Sequence, residues 1–360
     1  MSDTNVGRLL GRRLLHHIFD AGGTLLITKG AVLDEFHLEK LERFRVQIED
    51  IRTENIAQED FIPEVAEREV APSLTPEHHS MNLQDMVKRT ELLMHEIDRS
   101  VIENSKISVE SIEDKMLPLI KEVTKRHNLF QLLNDLKEHG DYRYKQTIGT
   151  SVIATALGKR LQLDDAELDM LIVAASLYDI GSLQLPSYLV NKTSQLDIHE
   201  RAIMKQHTYL GYELLKQSGV DERIALVALQ HHEREDGSGY PNGLRGDQID
   251  RLSKIVALAD VYVAMISDRP YRPAAAFFEV MEVIHRQIIE KRFDSVIGMT
   301  FLDSLLAVQV GCEVRLSNDS IGRIVLTNVN YPARPFVALP DNTFIDLSQH
   351  PDLSIKEVIG

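Results

Sequence analysis

From residue 82 onward the apolar residues of this chain recur at helical spacing. Leu83, Met86, Val87, Leu92, Leu93, Ile97 and Val101 step by three and four, predicting an amphipathic helix whose stripe is core or a helix–helix surface. Two more helices are expected over 109–126, with Pro118 as a kink, and over 128–138. Residues 141–163 set Ile148, Val152, Ile153, Ala156, Leu157 and Leu161 on one helical face. Asp164 and Glu167 form a capping pattern for the next helix, 168–177, which is so apolar that all its sides should be buried. A second such pattern, Asp197 with Glu200, opens a helix carrying His207 and Gly211. Another helix, capped near Asp221, runs through Ile224, Val227 and Ala228 to His231 and His232. Leu252–Ile266 is a further buried helix bearing Asp260, and 274–292 is the last helix expected of this region.

Both ends follow a different period. Thr24 to Ile27, after the turn Asp20-Ala21-Gly22-Gly23, predicts a strand; 34–44 has helical spacing, and Val46 to Ile51 returns as a strand. Residues 56–80 are acidic and hold Pro63, Pro72 and Pro76, as a linker would. Past 308, Glu313–Leu316, Arg323–Leu326, Phe336–Leu339 and Thr343–Leu347 read as short strands of a small barrel or sandwich. The expected fold is mainly α: a central all-α domain over 81–300, between a small β-containing module at 1–55 and a β-rich one at 308–360.

Composition narrows the function. A net charge of −15 argues against generic nucleic-acid or anionic-membrane binding, since both need clustered positive charge. The lone Cys312 makes no internal disulfide, and no apolar run reaches the ~18 residues of a membrane span, so the expectation is a soluble, cytoplasmic protein.

Chemistry concentrates in two places. The buried helix ending at Leu177 runs into Tyr178-Asp179-Ile180-Gly181, and a buried carboxylate there needs a metal or a histidine as partner. The second place is His231-His232-Glu233-Arg234-Glu235-Asp236-Gly237-Ser238-Gly239-Tyr240-Pro241, continuing through Gly243 to Gly246. Two adjacent imidazoles suit one metal site; the glycines and proline that follow end the helix and shape a tight loop around one aromatic ring.

This string, with its spacing, resembles the signature of the HD-GYP family of bacterial metal-dependent phosphodiesterases acting on cyclic di-GMP, best over about 130–300. The resemblance implies an HD-type helical domain and one complete ligand set: Asp179, also the catalytic carboxylate, with His207, His231 and His232. The ligands of a first metal are depleted: Asp260 is present, but Gln146 and Tyr178 stand where the family has histidines, and Ser182 where it has lysine. It further implies that Tyr240 faces guanine, that Arg269 and Arg272 lie near phosphate or base, and that the cofactor is iron or manganese. One divalent ion per chain is expected, with cyclic di-GMP or a related cyclic dinucleotide as ligand and hydrolysis weak or lost. The alternative is an active phosphodiesterase. A homodimer, and a protein partner reached through the flanking modules, stay open.

Overall fold

The structure is a computed structural model that describes residues 83–108, 112–126 and 142–359 other than 193, 268–273, 329 and 342, with isolated positions between 9 and 54. The chain divides into two compact units, 1–78 and 79–360. In the first, β1 (Arg13–Leu14) pairs antiparallel with β4 (Thr53–Glu54), and β2 (Ile18–Phe19) with β3 (Leu25–Ile27). The strand expected at 24–27 is therefore present as β3. Leu9, Leu14, Ile18, Leu33, Leu41 and Ile51 are buried together. The helix at 34–44, the strand at 46–51 and the linker at 56–80 fall largely or wholly outside the described residues, as does the helix at 128–138.

The second unit opens with α1 (Leu83–Asn104). Thr90, Met94, Ile97 and Val101 are buried at steps of four, three and four, with Asp98 buried beside them. Leu92, which the sequence places in the apolar stripe, lies off that line and is exposed. The long helix expected at 109–126 is a π-helical turn, Ile112–Met116, followed by α2 (Leu117–Arg126). Pro118 lacks an N–H and cannot continue an α ladder from the preceding turn, so it sits just inside the start of a new one.

The central layers are α3 (Tyr142–Arg160), α4 (Asp165–Leu177) and α9 (Arg251–Ile266), with α3 packed between the other two. Asp164 caps α4 through the N–H of Glu167, and Leu171, Ile172, Ala174 and Ala175 have no exposed surface. A 3-10 turn, Ile180–Gln184, follows, then α5 (Ser187–Val190) and α6 (Ile198–Met204), which carries a full capping box between Asp197 and Glu200. The single helix read from Asp197 through His207 is in fact two, α6 and α7 (His207–Gln217), broken at Lys205 and Gln206. α8 (Glu222–Gln230) ends at His231. After α10 (Phe277–Ile289) comes α11 (Ser295–Ala307), a helix beyond the last one expected at 274–292. Its buried Ile297, Phe301, Leu302, Leu305 and Leu306 keep helical spacing opposite Thr300, Asp303 and Ser304, and Asp294 caps it through two N–H groups.

The C-terminal strands are β5 (Glu313–Leu316), β6 (Ile321–Leu326), β7 (Phe336–Ala338), β8 (Phe344–Asp346) and β9 (Ile355–Val358). They form one antiparallel sheet in the order β8-β7-β6-β5-β9, not a barrel or a two-sheet sandwich. Val314, Leu316, Ile324 and Val337 are fully buried in the same cluster as the helices. A sheet whose inner face is covered by helices needs no second sheet to bury it.

Candidate functional site

Asp179 owes its place to the end of α4. The helix is buried on every side from Leu171 on and breaks after Tyr178, where Asp179 (φ −106°, ψ 18°) leaves helical geometry and starts the 3-10 turn. Gly181 lies in that turn against the backbone of α7: a Cβ there would overlap the His207 carbonyl and the Gly211 N–H. The contact of Gly181 with Gly211 lets the turn and α7 touch main chain to main chain. Asp179 Oδ1 is thereby brought 3.6 Å from His207 Nε2. A third of the Asp179 side chain faces the cleft. Burial nonetheless pushes its carboxyl up to about 6, with His207 pulling the other way.

His207 begins α7 because the chain breaks after α6, and its Nδ1 lies 2.7 Å from the Met204 carbonyl. His231 ends α8, and its Nδ1 lies 2.9 Å from the Ala228 carbonyl. Each carbonyl can only accept, so each Nδ1 carries the hydrogen, and both Nε2 atoms present lone pairs. Those two Nε2 atoms are 3.2 Å apart. Two lone pairs aimed at each other in a buried place repel unless a cation or a proton lies between them. Two nitrogens bound to a common ion at ordinary metal–imidazole distances are separated by roughly 3.0–3.4 Å, so the pair fits an ion. His232 completes the group: His207, His231 and His232 each offer a ligand atom within 4.8 Å of the others. Burial first, and the neighbouring histidines after it, hold His231 and His232 well below the usual imidazole range. They are neutral, as ligands must be.

The loop beyond is held by Glu233, a residue to which the sequence pattern alone assigned no role. Its carboxylate is 2% exposed and accepts the N–H groups of Asn242 at 2.7 Å and Leu244 at 3.0 Å. The signal was there: an acid between buried histidines and a glycine loop needs backbone donors. Gly239 passes so close to the Glu233 and His232 backbone that a Cβ would come within 2.5 Å of three main-chain atoms. Tyr240 is thus laid on His232, ring centroids 4.6 Å apart and 28° from parallel, with Lys205 Nζ over the tyrosine ring, 4.6 Å from its centroid.

On the other side of Tyr178 the arrangement changes. Asp260 Oδ1 accepts the Tyr178 hydroxyl at 2.6 Å and the Gln146 Nε2–H at 2.7 Å. Gln146 Nε2 also donates to the Asp260 carbonyl at 2.9 Å, and its Oε1 accepts from Tyr142 at 3.1 Å. Ser182 is buried and donates to the Asp179 carbonyl at 2.8 Å. Beside Asp179 a small cavity is lined by Arg143, Asp98, Thr147 and Ser176. Arg143 is ion-paired with Asp98 of α1, which also takes the Tyr144 hydroxyl at 2.6 Å.

Of the residues singled out in the sequence, Asp179, His207, His231 and His232 come together, and Tyr240 joins them through His232. Asp260 falls with Gln146 and Tyr178 in a separate hydrogen-bonded group. Arg269 and Arg272 lie outside the described residues. Among the described residues no helix is long and apolar enough to cross a membrane.

Comparison with known proteins agrees with this geometry. Residues 124–297 match the HD domain family. The cyclic di-GMP phosphodiesterase response regulator RpfG of Xanthomonas campestris is 36% identical over 185 residues, 49% of this chain and 48% of that protein. Cyclic di-GMP phosphodiesterase PA4108 of Pseudomonas aeruginosa is 27% identical over 96% of this chain and 86% of its own length. The chain thus spans about half of the first relative and most of the second. In fold it resembles Bd1817, an HDG"Y"P protein from Bdellovibrio bacteriovorus, at a TM-score of 0.50 and 16% identity, over 84% of this chain and 98% of that one. The HD domain family is metal-dependent, and the histidine cluster could hold the ion. Residues 124–297 thus form a domain of the HD family, similar to cyclic di-GMP phosphodiesterases of other bacteria.

Proposed function

We propose that this protein acts in cyclic di-GMP signalling, holds one divalent ion, iron or manganese, and binds cyclic di-GMP with hydrolysis weak or lost. The observation that carries the proposal is the convergence of the His207 and His231 Nε2 lone pairs at 3.2 Å, beside Asp179 and His232. The names of the relatives supply the substrate class. A bound ion would polarise a phosphate oxygen and lower the pKa of its water. This chain's own part is to fix the imidazole tautomers through the Met204 and Ala228 carbonyls and to hold the Asp179 carboxyl at the edge of the cleft. Tyr240 is backed by His232 and carries the Lys205 ammonium over its ring as a cation for phosphate, so a base stacking there would take that ammonium's place. Arg269 and Arg272 enter the proposal as further phosphate or guanine partners.

The second reading is an active phosphodiesterase, and the ordered loop around Glu233 favours it. The test is incubation of the purified protein with cyclic di-GMP under anaerobic iron or manganese, beside calorimetry. We expect binding with turnover at least about 100-fold below a two-metal relative assayed alongside, since loss of one clamp on a reacting phosphate costs roughly that much. Rapid multiple turnover would establish the second reading. Absence of any nucleotide binding would leave a protein-interaction module.

A further inference from the structure

We infer that Tyr178 and Gln146 stand in the place of a second ion, and that Asp260 is the acceptor of a closed hydrogen-bonded group rather than a metal ligand. The inference rests on the one-ion reading above and says what fills the other half of the site.

Asp260 Oδ1 takes two hydrogen bonds, from the Tyr178 hydroxyl at 2.6 Å and the Gln146 amide at 2.7 Å. The second amide contact, to the Asp260 carbonyl at 2.9 Å, fixes which way Gln146 is turned. The reverse orientation would set its oxygen against two acceptors. The Gln146 N–H groups therefore point at Asp260, and its own oxygen is turned toward Tyr142. An ion beside Asp260 Oδ1 would face those positive N–H ends and would have to displace both donors. Two neutral donors on one carboxylate do for Asp260 what a cation would, satisfying its charge in a recessed place. Tyr178 and Gln146 are 3% and 8% exposed, so the two donors an ion would have to displace are themselves held in the core. The residues present do not fit a second ion.

The group has a task of its own. The Tyr178 ring meets His231 edge to face, centroids 5.0 Å apart and planes at 84°. Asp260 and Gln146 thus fix the tyrosine that buttresses a ligand of the site. They are positioning residues.

The test is metal content by elemental analysis after loading with iron or manganese, on the full chain. We expect one ion per chain, kept in Asp260→Asn, whose amide oxygen still accepts from Tyr178, and lost in Asp179→Asn and in His232→Ala. Two ions per wild-type chain would overturn the inference. So would Asp260→Asn losing its ion with circular dichroism and melting temperature unchanged. A second measurement uses unfolding in chelator: Tyr178→Phe and Asp260→Ala, singly and combined, should shift the midpoint non-additively, because each removes the same bond. Additive shifts would overturn the inference even if the metal count agreed. A wild type that takes up no ion, with non-additive shifts, would sink the one-ion reading and leave the hydrogen-bonded group standing. Cyclic di-GMP binding is measured separately and decides only the substrate.

Discussion

Glu233 decides more of the site than its place in the string suggests. A carboxylate 2% exposed holds two loop N–H groups, and the loop carries the ring that covers His232. Glu233→Ala would strand both donors, and an unsatisfied buried donor costs about 1–3 kcal/mol. Urea unfolding should show a loss of about 2–4 kcal/mol, while Glu233→Gln, which keeps one acceptor, should lose less. Equal losses would mean the carboxylate's second bond contributes nothing. At this scale it was the family resemblance, not residue type, that picked His207, His231, His232 and Asp179 out of the chain, and the structure brings the four together. The resemblance placed Asp260 with the metal ligands, whereas the structure gives its oxygen to Tyr178 and Gln146. The identities of hydrogen-bond partners more than eighty residues apart are not carried by local spacing.

Among the elements, the decisive contact is between the 3-10 turn after α4 and the first turns of α7. Gly181 and Gly211 allow it, and the break at Lys205 and Gln206 turns His207 toward Asp179. In Gly181→Ala the added methyl would overlap backbone on both sides, so the two elements must separate. We expect a stability loss of about 1–3 kcal/mol, typical of overpacking, together with metal affinity weakened by at least tenfold. Calorimetry on the metal-loaded variant reads both, and wild-type affinity would show that the Asp179–His207 spacing is set elsewhere. The capping box at Asp197 was legible because it is local; the helix break eight residues later was not. Nothing in Met204-Lys205-Gln206-His207 forbids a continuous helix, and packing of α7 on the turn and on α8 selects the break.

For the second unit as a whole, a bound ion would tie together the ends of α4 and α8 and the start of α7. An ion present at a hundred to a thousand times its dissociation constant stabilises the folded state by about 3–4 kcal/mol. Chelation should then lower the melting temperature by roughly 5–15 °C for a unit of this size, and restoring manganese should reverse it. A melting temperature indifferent to chelator would mean that these three elements are held by packing alone.

The sequence by itself determined the helical class, the buried character of α4 and α9, the β-rich C-terminus and the glycine-punctuated loop after His232. Periodicity, capping pairs and a glycine-punctuated loop are local signals, so they survive without coordinates. Only the tertiary structure decided that the C-terminal strands make one sheet and that Asp260 faces a phenol and an amide. A sheet chooses its covering by what packs on it. The direction of a carboxylate's bonds is fixed when distant helices meet, and α3, α4 and α9 meet at Asp260.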